Sequence, residues 1–226
     1  MRERPWLPIQ HEDSITMTTN PNRLIYQFKV TLLEIEPAIW RRLQVPATYS
    51  FWDLYVTFQD AMGWLDYHLH EFRMRRPHKR KMIEIGIPAD EASDTVVMPG
   101  WKIPMRGYFT EPGQTALYAY DFGDGWEHEV LLEDILLKAK GAKYPRCIAG
   151  ERACPPEDCG GVPGYHRVLD ILRHPSDGEY QETIAWLKGH AKNYYPYDPG
   201  AFHPEQVHFD NPKQRWRLAF SETGDR

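Results

Sequence analysis

The chain has 226 residues, a formal net charge of −5 and three cysteines, Cys147, Cys154 and Cys159. That length can bury a sizeable core without cross-links, and the acidic balance excludes a protein whose whole surface coats nucleic acid. No apolar run reaches membrane-spanning length and no charged leader precedes an apolar stretch, so the expected compartment is cytoplasmic; an odd thiol count there points to free thiols or metal ligands.

Residues 1–22 hold Pro5, Pro8 and Pro21 among polar residues without a sustained period and read as a mobile tail, with Met17 a second possible start. Residues 23–226 read as one domain. Leu24, Tyr26, Phe28, Val30 and Leu32 alternate with mostly polar neighbours, which predicts a strand, and Ile39 to Val45 predicts a second, hairpinned to the first. Ser50 followed by Asp53 is an acidic capping box, and Phe51, Leu54, Phe58, Ala61 and Met62 form one helical stripe that Gly63 ends. Tyr67 to Met74 predicts a third strand with His68 and His70 exposed on one face or aimed at a ligand.

Arg73, Arg75, Arg76, Lys79, Arg80 and Lys81 follow, six cations in nine residues, so that everything outside this stretch sums to −11. Such a segment can hold phosphates, and a solvated loop that balances the acidic remainder accounts for it equally well. Lys81 to Ile87 predicts another short strand. Residues 88–114, with four prolines, predict a long connection with a helical turn near Arg106.

Two alternating runs then flank Gly123-Asp-Gly125. Asp124-Gly125 is the dipeptide a two-residue type I′ turn requires, and that loop sets Asp121 directly across from His128 on a face shared with Leu117, Ala119, Trp126, Val130 and Leu132. A carboxylate against an imidazole fixes the tautomer and raises basicity, making Asp121, His128 and Asp124 the candidate catalytic residues. The alternative is that Asp121 and His128 satisfy one another while Asp124 serves the turn. The second strand is expected to run on through Leu137.

Beyond it, Cys147, Cys154 and Cys159 with His128 form a candidate zinc set, with His166 and Asp158 as further donors. The intervals of six and four residues depart from the usual pairs of structural zinc sites, and buried or free thiols in a structured loop are the competing account. Tyr165 to Arg173 and Asp177 to Lys188 predict helices, Tyr194 to Phe202 a packed aromatic loop, and Arg215 to Phe220 a segment that closes the domain.

Three blocks, Ile39-Trp-Arg-Arg-Leu-Gln-Val-Pro46 with Phe51-Trp-Asp-Leu54, Tyr120-Asp-Phe-Gly-Asp-Gly-Trp-Glu-His128, and Cys154-Pro-Pro-Glu-Asp-Cys-Gly-Gly161, resemble the plasmid pRiA4b ORF-3-like family over roughly residues 24–190. The resemblance implies an α+β roll similar to S4-like folds, with a mixed or antiparallel sheet and a helical C-terminal part, in a family associated with plasmids and mobile elements. It implies little chemistry. Two functions are therefore carried forward. The first is a non-enzymatic binding module for nucleic acid or a partner protein, through Arg73 to Lys81. The second is a zinc-dependent, hydrolase-like enzyme centred on Asp121, His128 and the cysteine loop.

Overall fold

The computed structural model describes residues 20–76, 81–88 and 96–221. Residues 1–19 of the expected tail lie outside them, as do Lys79 and Arg80; Pro21–Arg23 form a short turn that leads into the first strand. β1 (Leu24–Leu32) and β2 (Ile39–Pro46) form the predicted hairpin, with Tyr26, Phe28, Val30 and Leu32 buried and the intervening residues on the outer face. β3 (His70–Arg75), β4 (Met82–Gly86), β5 (Val97–Pro99), β6 (Thr115–Tyr120), β7 (Trp126–Leu137) and β8 (Arg146–Glu151) complete one mixed sheet in the order β5-β4-β3-β6-β7-β1-β2-β8, parallel only between β4 and β5.

One face of this sheet is covered by α1 (Phe51–Met62). Ser50 and Asp53 form the predicted capping box, Gly63 stops the helix in the left-handed region at φ 87°, and Phe51, Phe58 and Tyr55 pack on Phe72, Tyr118 and His70. The opposite face carries polar side chains. There the register of β1 with β7 slips at Gln27/Phe28, leaving Glu133 as an extra residue whose carboxylate accepts from Arg42 and Gln27. α2 (Gly161–Arg173) starts four residues before the predicted helix, and α3 (Tyr180–Gly189) follows. α4 (Pro212–Ser221) closes the domain against α1, where Arg215 reaches Asp60, Asp66 and Asp210.

The central hairpin corrects the predicted register. Tyr118 faces His128 and Tyr120 faces Trp126, so residues 121–125 form a five-residue turn and Asp121 is not opposite His128. The physical reason is competition for the core face. In this register Tyr118 and Tyr120 take the buried positions that a two-residue loop would have given to Leu117, Ala119 and a carboxylate. Asp121 instead builds the turn. At φ 54° its Oδ1 accepts from the amides of Gly123 (3.0 Å) and Asp124 (3.3 Å), and its carbonyl from Gly125 (2.6 Å).

Candidate functional site

Three chain segments converge at the turn end of the β6–β7 hairpin, and each is fixed there by its own hydrogen bonds. β3 pairs with β6 so that the amide of Asp121 donates to the Leu69 carbonyl (3.0 Å), which brings the preceding His68 beside the turn. The loop from Ala153 to Gly160 is tied down by Glu157, a buried carboxylate that accepts from the Tyr120 hydroxyl and from the amide of Leu65 (2.5 Å). Trp64 Nε1 donates to the Pro155 carbonyl (3.0 Å), and the Gly160 amide donates to Asp124 Oδ2 (3.0 Å). Asp124 therefore joins the hairpin turn to the loop.

This arrangement presents an imidazole and two carboxylates to one point. His68 Nε2 lies 2.8 Å from Asp158 Oδ1 and 3.5 Å from Asp121 Oδ2, and His190 Nε2 stands 4.0 Å from the other Asp158 oxygen. Among the described residues, His68, Asp121 and Asp158 are the one group of three metal-ligating side chains whose donor atoms all lie within 4.8 Å of one another. A tetrahedral ion with bonds of about 2.0–2.1 Å sets its donors about 3.3 Å apart, so small side-chain movements suffice to enclose one. Asp121 is buried, His68 is half-buried and Asp158 is exposed.

The predicted zinc set is not brought together. Cys147 lies on β8, its Sγ directed at the Ala149 carbonyl (3.4 Å); Cys154 is buried; Cys159 turns toward the Gly161 carbonyl at 4.0 Å; His128 sits on the core face of β7. Burial pushes all three thiols up, Cys154 to about 12, so the thiolate a metal or an electrophile needs is disfavoured.

His128 is a neutral core imidazole. Burial, the largest cause, pulls it down to about 3; Nδ1 lies 3.2 Å from the Tyr118 carbonyl, Nε2 has no hydrogen-bond partner, and Trp64 meets the ring edge-on. Among the described residues it pairs with no carboxylate. His70, expected to be exposed or aimed at a ligand, is likewise buried. It stacks on Tyr55 with ring centroids 3.4 Å apart, and burial pulls it to about 3.

In the basic segment Arg73 is taken by Glu71 and, at 3.4 Å, by Glu127, whereas Arg75, Arg76 and Lys81 are exposed and carry no ion pair among the described residues. Sequence reasoning named His68, Asp121 and Asp158, each in a different set. It missed Glu157 entirely, although an acidic residue inside the Pro-rich turn of the third block was a signal that could have been followed.

These features define the protein as an α+β domain built on one mixed eight-stranded sheet, with an imidazole and two carboxylates gathered at the end of its central hairpin. The chain belongs to the family described as plasmid pRiA4b ORF-3-like protein, which it matches over residues 24–206. It is 35% identical over 163 residues to the uncharacterized protein y4hQ of Sinorhizobium fredii (strain NBRC 101917 / NGR234), covering 72% of this chain and 80% of that one. The crystal structure of a protein of unknown function, MM3350 from Methanosarcina mazei Go1, superposes with a TM-score of 0.73 at 40% identity, over 83% of this chain and 99% of that one. No helix among the described residues is long and apolar enough to cross a membrane.

Proposed function

We propose that the protein is a binding module for a divalent metal ion, held by His68, Asp121 and Asp158 with His190 beside them. The observation that carries this reading is the convergence of the three donors within 4.8 Å on rigidly hydrogen-bonded segments. One nitrogen and two oxygens are donors that both Zn²⁺ and Mn²⁺ accept, and three protein ligands leave a position for water or a bound group. Such an open ion lowers the pKa of its water, so the enzymatic alternative is a metal-dependent hydrolase centred on His68, Asp121 and Asp158 rather than on Asp121, His128 and the thiols.

Calorimetric titration of the metal-stripped protein with Zn²⁺ and Mn²⁺ tests the reading. His68→Ala and Asp158→Asn should each weaken binding by at least about 10–100-fold, the usual cost of losing even an outer-shell partner. Both side chains are partly exposed, so melting temperature should change little, and Cys154→Ser should leave the affinity intact. Equal affinity in wild type and both variants would refute the site.

A second reading, nucleic-acid binding, is favoured by Arg75, Arg76 and Lys81, exposed at one end of the β3–β4 hairpin and without an ion pair among the described residues. Binding there would be salt-steep, log affinity falling with log salt by about 0.7 per phosphate on single strands and about 0.9 on duplex. Changing those three residues together to Ser should flatten the slope in proportion to the phosphates that are no longer neutralised. No salt-dependent binding to DNA or RNA at low ionic strength would end this reading and leave a partner protein as the other candidate.

A further inference from the structure

A second concavity, distinct in its residues from the His68 cluster, lies between the C-terminal end of α1, the Ala153–Pro155 segment and the aromatic loop of residues 194–208. It encloses about 690 Å³, with Arg41 on its wall beside Trp64, Tyr197, Phe202 and Lys192. Arg41 is 1% exposed, the only arginine among the described residues to be so buried. Its Nε donates to the Ala61 carbonyl (2.9 Å) and its Nη1 to the carbonyls of Trp40 (2.8 Å) and Glu151 (3.0 Å). Phe202 covers the guanidinium face, its ring centroid 3.6 Å from Cζ. Nη2 is left without a hydrogen-bond partner among the described residues.

A buried guanidinium normally meets a carboxylate, because an unpaired charge away from water is costly. Arg41 meets none. The ionisable groups that face it are Cys154, Cys147, Tyr197 and His128, all neutral at pH 7 because burial raises the first three and lowers the imidazole. Lys192 adds a second cation, reaching back to Gly63 at the end of α1. The C-terminus of that helix offers only about half a negative charge, less than the two cations directed at it. Of the carboxylates on the same wall, Asp60 is held by Arg215 (2.7 Å), and Asp198 is exposed and accepts from the Gly200 amide (2.8 Å). Lys192 is attracted by Asp60 and by Glu157, which is itself held by Tyr120 and Leu65, so Arg41 is the cation left without a counter-charge, in a cavity to which Trp64, Tyr197 and Phe202 contribute aromatic rings.

We propose that this cavity binds a small organic oxyanion, whose carboxylate or phosphate meets the free Nη2 of Arg41 and the ammonium of Lys192 and whose apolar body lies against Trp64, Tyr197 and Phe202. With Nε and Nη1 committed to carbonyls, the anion is met end-on through Nη2, and the ring of Phe202 confines it to the edge of the guanidinium. A neutral compound of the same shape gains none of this.

Ligand-observed and protein-observed NMR with benzoate, phenyl phosphate and neutral benzyl alcohol tests the proposal on the full chain. At least one of the two anions should bind and perturb the Trp64 indole resonance, benzyl alcohol should not, and the stronger anion identifies carboxylate or phosphate as the head group. Lys192→Glu, a change at an exposed position, should weaken that anion by about tenfold or more. Arg41→Lys should do the same where it folds, and where it does not, Lys192→Glu and Phe202→Leu decide. Failure of both anions to bind at millimolar concentration, binding equal to that of benzyl alcohol, or affinity unchanged in Lys192→Glu would overturn the site.

Discussion

Gly161→Ala should lower stability by about 2–5 kcal/mol and remove metal binding with it. Gly161 occupies φ 67°, where an L residue costs about 1–2 kcal/mol, and its added Cβ would overlap the Asp124 carbonyl oxygen. That oxygen cannot retreat, because the 121–125 turn is closed by the Asp121 carbonyl and carboxylate. The loop must move instead, at a further cost of about 1–3 kcal/mol for forced overpacking. Moving it breaks the Gly160–Asp124 hydrogen bond and carries Asp158 away from Asp121 and His68. Gly178→Ala, where an added Cβ meets nothing within 4 Å, is the control. Urea melts and a metal titration on both variants read the result; a Gly161→Ala protein with wild-type stability and affinity would mean that the loop is not held by this contact.

Acid should unfold the protein through its two core histidines. His70 and His128 are pulled from 6.5 to about 3 by burial, so on acidification the unfolded chain takes up protons that the folded chain refuses. Their stabilising contribution is complete above about pH 6.5 and is lost as pH falls toward 3, at about 1.4 kcal/mol per pH unit for each, or about 2.7 for both. Asp66 acts in the opposite sense. Burial raises its carboxyl to about 6, against the opposing pull of Arg215, so the folded state gains a proton between about pH 6 and 4 and offsets about one histidine there. His70→Phe keeps the stacking surface on Tyr55 and removes the titration. Denaturant melts at a series of pH values should show its slope flattened by about 1.4 kcal/mol per pH unit between pH 6 and 4. A slope equal to that of the wild type would show that His70 is not held neutral by the fold.

The elements legible in the sequence were those whose signals are local. α1 was fixed by Ser50, Asp53 and Gly63, and β1 and β2 by the alternation of Leu24 to Leu32 and of Ile39 to Val45, all satisfied by neighbours within a few residues. β8 was not legible. Arg146 to Glu151 has a weak pattern interrupted by Gly150, and it becomes a strand because β2 offers a free edge, with Phe202 and the Trp40 carbonyl packed so close to Gly150 that no side chain fits.

The hairpin failed in an instructive way. Asp124-Gly125 is a strong local turn signal, but the register was decided by which residues could fill the core, and Tyr118 and Tyr120 displaced Asp121 into the turn. The same slip separated Asp121 from His128. Its actual neighbour, His68, follows from the pairing of β3 with β6, and Asp158 follows from the docking of the cysteine loop, neither of which has any local trace in the chain.

Zinc-edge X-ray absorption on the zinc-loaded, tag-free protein tests the central claim most directly. The site at His68, Asp121 and Asp158 predicts a first shell of nitrogen and oxygen alone at about 2.0–2.2 Å, with imidazole scattering that is lost in His68→Ala. A sulfur shell at about 2.3 Å would place the ion on Cys147, Cys154 or Cys159 and contradict it.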